Sequence, residues 1–255
     1  MIKKKLLAKY FLIGGKGLIG KSIANLLIKK NFKIITKKNY RKYIGKECSV
    51  LINANGNSSR YYGNKFPKKD FKKSVLTTFN TIFDFKFKKY IFISSGDVYS
   101  RLGKSASEKK IILYPDGSYG KNKLLSESII KLYCKKWLIV RAGPIIGPNQ
   151  KKGLIFDLKN NRTVYSNKNS TYSYIGANNF AKILLKISKQ NNKIFNISGN
   201  GTVKNSDIKK IINSASLFNK NKRRENYFLN NSLIERELKT KLPKSISEIK
   251  KTIFN

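Results

Sequence analysis

Short apolar runs alternate along this chain with stretches in which apolar residues return every three or four positions. The first pattern is that of a buried strand and the second that of a helix with one covered face. Read this way, the first half predicts a strand at Tyr10–Ile13, a helix at Leu18–Lys29, and strands at Lys33–Thr36 and Val50–Asn53. A helix over Asp70–Phe85, a strand at Tyr90–Ser94, a helix from Tyr119 to Tyr133 and a strand at Trp137–Arg141 follow. Regular alternation of this kind predicts an α/β fold, a doubly wound parallel sheet with helices on both faces.

Beyond Arg141 the texture changes. Gly143, Pro144, Gly147 and Pro148 punctuate a loop, and a helix at Asn178–Ser188 and a strand at Ile194–Ile197 follow. Short amphipathic stretches at Asn205–Ser214, Ser232–Lys239 and Ser245–Phe254 close the chain. The expectation is a Rossmann-type domain over residues 1–142, to which the strand near 194–197 returns, and a small C-terminal cap over 143–255.

Between the first strand and the first helix stands Gly14-Gly15-Lys16-Gly17-Leu18-Ile19-Gly20. Glycines here permit a tight strand-to-helix turn and let backbone amides reach a pyrophosphate, with the positive end of the helix behind them. These seven residues are therefore the expected phosphate seat of a dinucleotide. The end of the second strand reads the adenosine ribose, where an acid favours NAD and a base accommodates the extra phosphate of NADP. Lys37 and Lys38 follow Thr36 with no acid among them, which leans toward NADP over NAD.

The fourth strand runs into Ser94-Ser95-Gly96-Asp97-Val98-Tyr99, and 24 residues past Ser95 comes Tyr119-Gly120-Lys121-Asn122-Lys123. On a helix, Lys123 lies one turn beyond Tyr119 on the same face. A phenol with a pKa near 10 is a poor base at neutral pH, whereas a cation about 4 Å away contributes about 4 kcal/mol at an effective dielectric of 20. Lys123 together with the positive charge of a bound nicotinamide is thus expected to bring Tyr119 toward neutrality, with Ser95 bonding the reacting oxygen. Asp97 reads either as a second acid/base or as a turn residue bonding nearby amides.

Taken together these residues resemble the extended short-chain dehydrogenase/reductase family, of the NAD-dependent epimerase/dehydratase type. Further likenesses are Arg141-Ala142-Gly143-Pro144 followed by Gly147-Pro148, the stretch Tyr172 to Ala181, and Phe195-Asn196-Ile197-Ser198-Gly199. The resemblance implies a nucleotide-sugar substrate, Tyr119 as acid/base, Lys123 on the nicotinamide ribose, and Ser95 aligning the substrate. It also implies cofactor contacts from Asn53, Ala54, Asn55, Ser94 and Pro144, and the family's usual homodimer. Several departures stand out. Only about a dozen residues separate Lys37 from Val50, so the family's third strand and its helix are expected to be reduced or absent. Ser74 stands where an asparagine is common, and Asn178-Asn179 replaces an acidic pair. Reduction of a 4-keto sugar fits NADPH, while epimerisation or dehydration fits a retained NAD.

Composition narrows the chemistry. The chain has no histidine, which removes every mechanism resting on an imidazole. Its two cysteines, Cys48 and Cys134, have neither the number nor the spacing of a zinc site or disulfide framework. No apolar stretch approaches the roughly 20 residues of a membrane span, although Lys3, Lys4 and Lys5 before an apolar run imitate a signal peptide. A cytoplasmic setting is expected. Fifty-five Lys+Arg against thirteen Asp+Glu give a net charge of +42, but the excess is lysine spread along the whole chain. That reads as compositional drift, with RNA binding by a vestigial Rossmann protein as the rival.

Overall fold

The computed structural model describes residues 8–56, 59–99, 106–109, 115–148, 150–219 and 221–254; Lys3, Lys4 and Lys5 lie outside them. In chain order the first elements are β1 (Ala8–Ile13), α1 (Leu18–Leu27), β2 (Phe32–Ile35), α2 (Tyr40–Tyr43) and β3 (Glu47–Asn53). Next come α3 (Arg60–Lys65), α4 (Pro67–Phe71), α5 (Thr77–Asp84), β4 (Lys86–Ser95), α6 (Ser118–Tyr133) and β5 (Trp137–Ala142). The remainder holds β6 (Ile145–Ile146), α7 (Leu154–Lys159), β7 (Thr171–Tyr172), β8 (Ile175–Gly176), α8 (Ala177–Lys186) and β9 (Lys193–Ile197). The chain closes with β10 (Val203–Lys204), α9 (Asn205–Ile212), β11 (Asn226–Tyr227), α10 (Ser232–Leu238) and α11 (Ser245–Phe254).

Two compact units emerge, one from residues 1–100, 112–141 and 181–195, the other from 101–111, 142–180 and 196–255. The first is built on a six-stranded sheet of order β2-β1-β3-β4-β5-β9. β1 pairs in parallel with both β2 and β3, and β3 in parallel with β4. The doubly wound α/β sheet expected from the alternation is therefore present. β2 is its edge, so the strand that the short Lys37–Val50 interval left no room for is absent among the described residues.

β4 shows why such strands read as unbroken apolar runs: every residue from Lys89 to Ser95 is buried, as in a sheet covered on both faces. Phe11, Leu51, Tyr90, Phe92 and Ile139 form the centre of the core. Both cysteines are free and buried, and burial pushes each thiol up to about 12. In α1 the covered residues Gly20, Ile23, Ala24 and Leu27 repeat at helical spacing.

The helix expected over Asp70–Phe85 is instead two helices joined by a π-helical turn at Lys72–Leu76. Hydroxyls at this junction bond backward to the main chain, Thr77 Oγ1 to Lys72 O at 3.2 Å and Thr78 Oγ1 to Ser74 O at 2.8 Å. Such bonds compete with the regular ladder and bend helices. Pro67 opens α4 where its missing N–H is harmless.

The second unit has its own core of Ile146, Leu158, Val164, Tyr174, Val203, Ile208 and Ile249. Its strands are two residues long, and Asn213 and Lys239 end α9 and α10 in the left-handed conformation. Glu248 is buried in it, accepting from Gly176 N at 2.6 Å and Asn179 Nδ2 at 2.8 Å.

Candidate active site

The glycine turn is shaped by backbone contact. Gly14 adopts φ +80°, and a Cβ built on it would lie 2.6 Å from Ala54 O. At Gly20 the same construction meets Gly14 O at 2.1 Å and Gly15 Cα at 2.7 Å. Only hydrogen fits at either place. Gly17 N bonds Gly14 O at 3.0 Å, and the first intrahelical bond is Lys21 N to Gly17 O at 2.8 Å. The amides of Leu18, Ile19 and Gly20 thus precede the helical ladder and remain for an anion. Lys16 and Gly17 are exposed and Gly15 is buried. This close-packed cradle fits the pyrophosphate of a dinucleotide.

At the adenosine end, Lys37 and Lys38 are exposed in the turn after β2. Asn39 braces that turn, accepting from Thr36 N at 2.6 Å and donating to Ile34 O at 3.0 Å. At the end of β3, Ala54 N bonds Ile13 O at 3.0 Å, tying the Asn53-Ala54-Asn55-Gly56 loop to the glycine turn. Asn53 turns into the core, donating to Tyr90 Oη at 2.8 Å and accepting from Asn55 N at 3.0 Å. Its side chain braces the end of β3, and the Ser94 hydroxyl donates to Glu127 Oε1 at 2.6 Å. Pro144 belongs to the second unit, where its carbonyl accepts from Ile175 N at 3.0 Å.

β4 carries Ser95 to its carboxyl end and a 3₁₀ turn then sets Asp97. Ser95 Oγ accepts from Asp97 N at 3.1 Å and lies 3.1 Å from Asp97 Oδ2. Asp97 thus forms the turn, as one of its two readings has it, and presents its carboxylate to Ser95. Tyr119, in the first turn of α6, is buried and shares a hydrogen bond with the Ser95 side chain. Gly120 makes this approach possible, as a Cβ there would sit 2.2 Å from Asp97 O.

Lys123 follows one turn later, with its Nζ donating to Ile93 O at 3.1 Å and 4.9 Å above the Phe92 ring. A Cβ on Gly56 would come within 3.1 Å of that Nζ, so Lys123 borders the same loop that touches Gly14. Burial pulls the ammonium down to about 8, against the pull of Asp70 and Glu127. The protein's own groups act on Tyr119, on balance, in the upward direction. Burial first, and then the charge of Asp97, push the phenol above its ordinary value, while Ser95 and Arg60 act the other way. Lys123 Nζ is held by the Ile93 carbonyl.

Further residues join this site that the sequence pattern did not single out as participants. Arg60 Nη1, from α3, lies 3.4 Å from Asp97 Oδ1. Asp70 and Asn122 meet at 2.7 Å, both buried. Glu127 accepts from Arg141 Nε at 3.1 Å and Nη2 at 2.7 Å, and Arg141 Nη1 donates to Tyr99 Oη at 2.9 Å. Glu127 was within reach of pattern reading, being one further turn along the face of Tyr119 and Lys123. That face of α6 buries Tyr119, Asn122, Lys123, Ser126 and Glu127, which marks it as a site rather than a core stripe.

A parallel α/β sheet whose first turn is a glycine cradle, with serine, tyrosine and lysine at the ends of β4 and in α6, defines a dinucleotide-binding enzyme of the short-chain dehydrogenase/reductase class. The model of the NAD dependent epimerase/dehydratase family matches residues 10–198, and the chain belongs to that family. A search of curated proteins finds no match. Among solved structures, MoeE5 in complex with UDP-glucuronic acid and NAD is similar at a TM-score of 0.82 and 13% identity, over 96% of this chain and 97% of that one. UDP-glucuronic acid 4-epimerase from Bacillus cereus gives 0.81 and 16%, over 96% and 97%. A dTDP-4-dehydrorhamnose reductase from Clostridium acetobutylicum gives 0.76 and 17%, over 96% and 98%. At these identities the likeness is one of fold.

Proposed function

We propose that this enzyme is a nucleotide-sugar oxidoreductase acting at a ring hydroxyl or keto carbon, with reduction of a 4-keto sugar as its net reaction. The observation that carries the reading is the polar chain Tyr119, Ser95, Asp97. A serine hydroxyl has one proton to donate. Burial and the charge of Asp97 hold Tyr119 protonated, with Ser95 bonded beside it. A protonated, buried phenol is the proton donor that a carbonyl oxygen needs as it becomes a hydroxyl.

The nicotinamide, when bound, supplies the hydride. Ser95 turns its O–H from Asp97 to the reacting oxygen, Tyr119 delivers the proton to that oxygen, and Asp97 keeps its contact with Arg60. Lys123 holds the nicotinamide ribose, and the amides of Leu18, Ile19 and Gly20 hold the pyrophosphate. Lys37 and Lys38 support a preference for NADPH over NADH, and residues 143–255 are assigned to substrate selection. The preference is tested by titrating both dinucleotides by nicotinamide fluorescence, where Lys37→Ala weakens NADPH more than NADH.

Tyr119→Phe is the test of the chemistry. The variant binds dinucleotide as the parent does but loses about 10²- to 10⁴-fold in turnover of a 4-keto or 4-hydroxy nucleotide-sugar panel. Parental turnover would end the assignment. Epimerisation with retained NAD is the second reading, supported by relatives of this fold solved with UDP-sugars and NAD. Native mass spectrometry separates the two, since co-purified NAD favours the second.

The exposed faces of α5 and α6 support a homodimer. Phe79, Phe83 and Tyr133 cluster there with ring centroids 4.7 to 6.0 Å apart, each at least 40% exposed. An aromatic patch of this kind fits a second copy of the same face.

A further inference from the structure

Among the described residues of the first unit, three buried charges hydrogen-bond only to neutral groups: Lys89, which has two carbonyls, Ser188 O and Gln190 O, to itself, and the pair Lys123 and Asp70. Lys123 is 4% exposed and donates to a neutral carbonyl, Ile93 O. Asp70 is fully buried and is held by neutral groups, Asn122 Nδ2 at 2.7 Å and Ser74 Oγ at 3.5 Å. Glu127 is different, because the Arg141 guanidinium already meets both its oxygens. A buried ion without a counter-ion is strongly unfavourable, so these two complement one another.

The surroundings bring them together. A Cβ on Gly63 would lie 3.0 Å from Tyr119 Cβ and 3.3 Å from Asp70 Cγ, so the carboxylate and the first turn of α6 flank one glycine. A Cβ on Gly56 would lie 3.1 Å from Lys123 Nζ and 3.5 Å from Ser74 Oγ, so the ammonium and the hydroxyl bonded to Asp70 flank one spot. The groups facing Lys123 are Asp70 from α4, Glu127 from its own helix, Ser74 from the π turn, and Phe92 and the Ile93 carbonyl from β4.

We propose that Asp70 is a positioning residue of the nicotinamide-ribose site, its carboxylate being the counter-charge that keeps the Lys123 ammonium charged within the protein. The inference rests on the reading that Lys123 holds that ribose. The carboxylate is clamped by Asn122 on the same helix as Lys123, so it acts at fixed distance. The downward pull of burial on Lys123, opposed first by Asp70, agrees with this arrangement.

The test is the pH dependence of NADH and NADPH binding, followed by nicotinamide fluorescence between pH 6.5 and 10. In the parent, affinity falls as Lys123 loses its proton, with a midpoint near about 8. In Asp70→Asn the fall begins at least about one pH unit lower. Affinity is then closest to that of the parent at pH 6.5 and several-fold weaker at pH 8, and Asp70→Glu restores the midpoint. Asp70→Ser, whose hydroxyl can accept from Asn122, repeats the neutral test should the amide fail to pack. Loss by one factor at every pH, or an unmoved midpoint, overturns the role of Asp70 while leaving the enzyme reading intact. A parent that binds neither dinucleotide at any pH overturns both.

Discussion

The glycine turn separates folding from binding at two positions three residues apart, and single methyl groups can test each. At Gly20 an added Cβ would stand 2.1 Å from Gly14 O and 2.7 Å from Gly15 Cα, both backbone atoms. Ordinary contact begins near 3.4 Å, so α1 must move by about 1.3 Å away from the turn. Overpacking of this kind destabilises by about 1–3 kcal/mol. Gly17 is the opposite case. Its backbone, φ −75° and ψ 170°, is extended, and the only atom near its Cβ position is Gly14 O at 3.4 Å. Gly17→Ala therefore changes stability by less than about 1 kcal/mol. It does, however, put a methyl on the exposed side of the turn, where the pyrophosphate must come close. Loss of one charge-assisted hydrogen bond, about 1.5–3 kcal/mol, weakens dinucleotide binding about 10- to 150-fold. Urea unfolding followed by circular dichroism reads the first quantity, and nicotinamide fluorescence the second. Gly17→Ala with parental affinity would refute the placement of the phosphates, and Gly20→Ala with parental stability would refute the packing argument.

Glu127→Ala leaves the Arg141 guanidinium buried without its bidentate partner, and unfolding in urea should show a loss of about 3–5 kcal/mol; a change under 1 kcal/mol would contradict the pairing. Lys123 has its folded pKa depressed to about 8 from 10.5, so between those values the unfolded chain binds more protons and stability rises with pH. Lys123→Met should remove that part of the rise and, by leaving the Asp70 carboxylate buried without its counter-charge, lower stability at pH 7 by about 3–5 kcal/mol, whereas parallel curves for variant and parent would speak against it. Phe83→Asp places a charge in the exposed aromatic cluster, and sedimentation equilibrium should find the variant monomeric at concentrations where the parent is dimeric.

Local pattern carries much of this protein. Strand and helix alternation, the glycines of the first turn, and the pairing of Ser95 with Tyr119 and Lys123 depend on spacing along one strand or one helix, and spacing is written in the chain. The short interval from Lys37 to Val50 likewise announces a sheet that ends at β2. What only the tertiary structure decided is which polar groups meet inside. Asp70 lies on α4 and its charge matters because the π turn and Gly63 bring it beside α6. Asn53 and Ser94 stand at strand ends where a ligand contact is expected, yet Tyr90 and Glu127 claim their side chains. Tyr119 has its proton affinity raised because burial and Asp97 act on it more strongly than any cation. Desolvation and through-space charge depend on packing in three dimensions, and no periodicity in sequence encodes them.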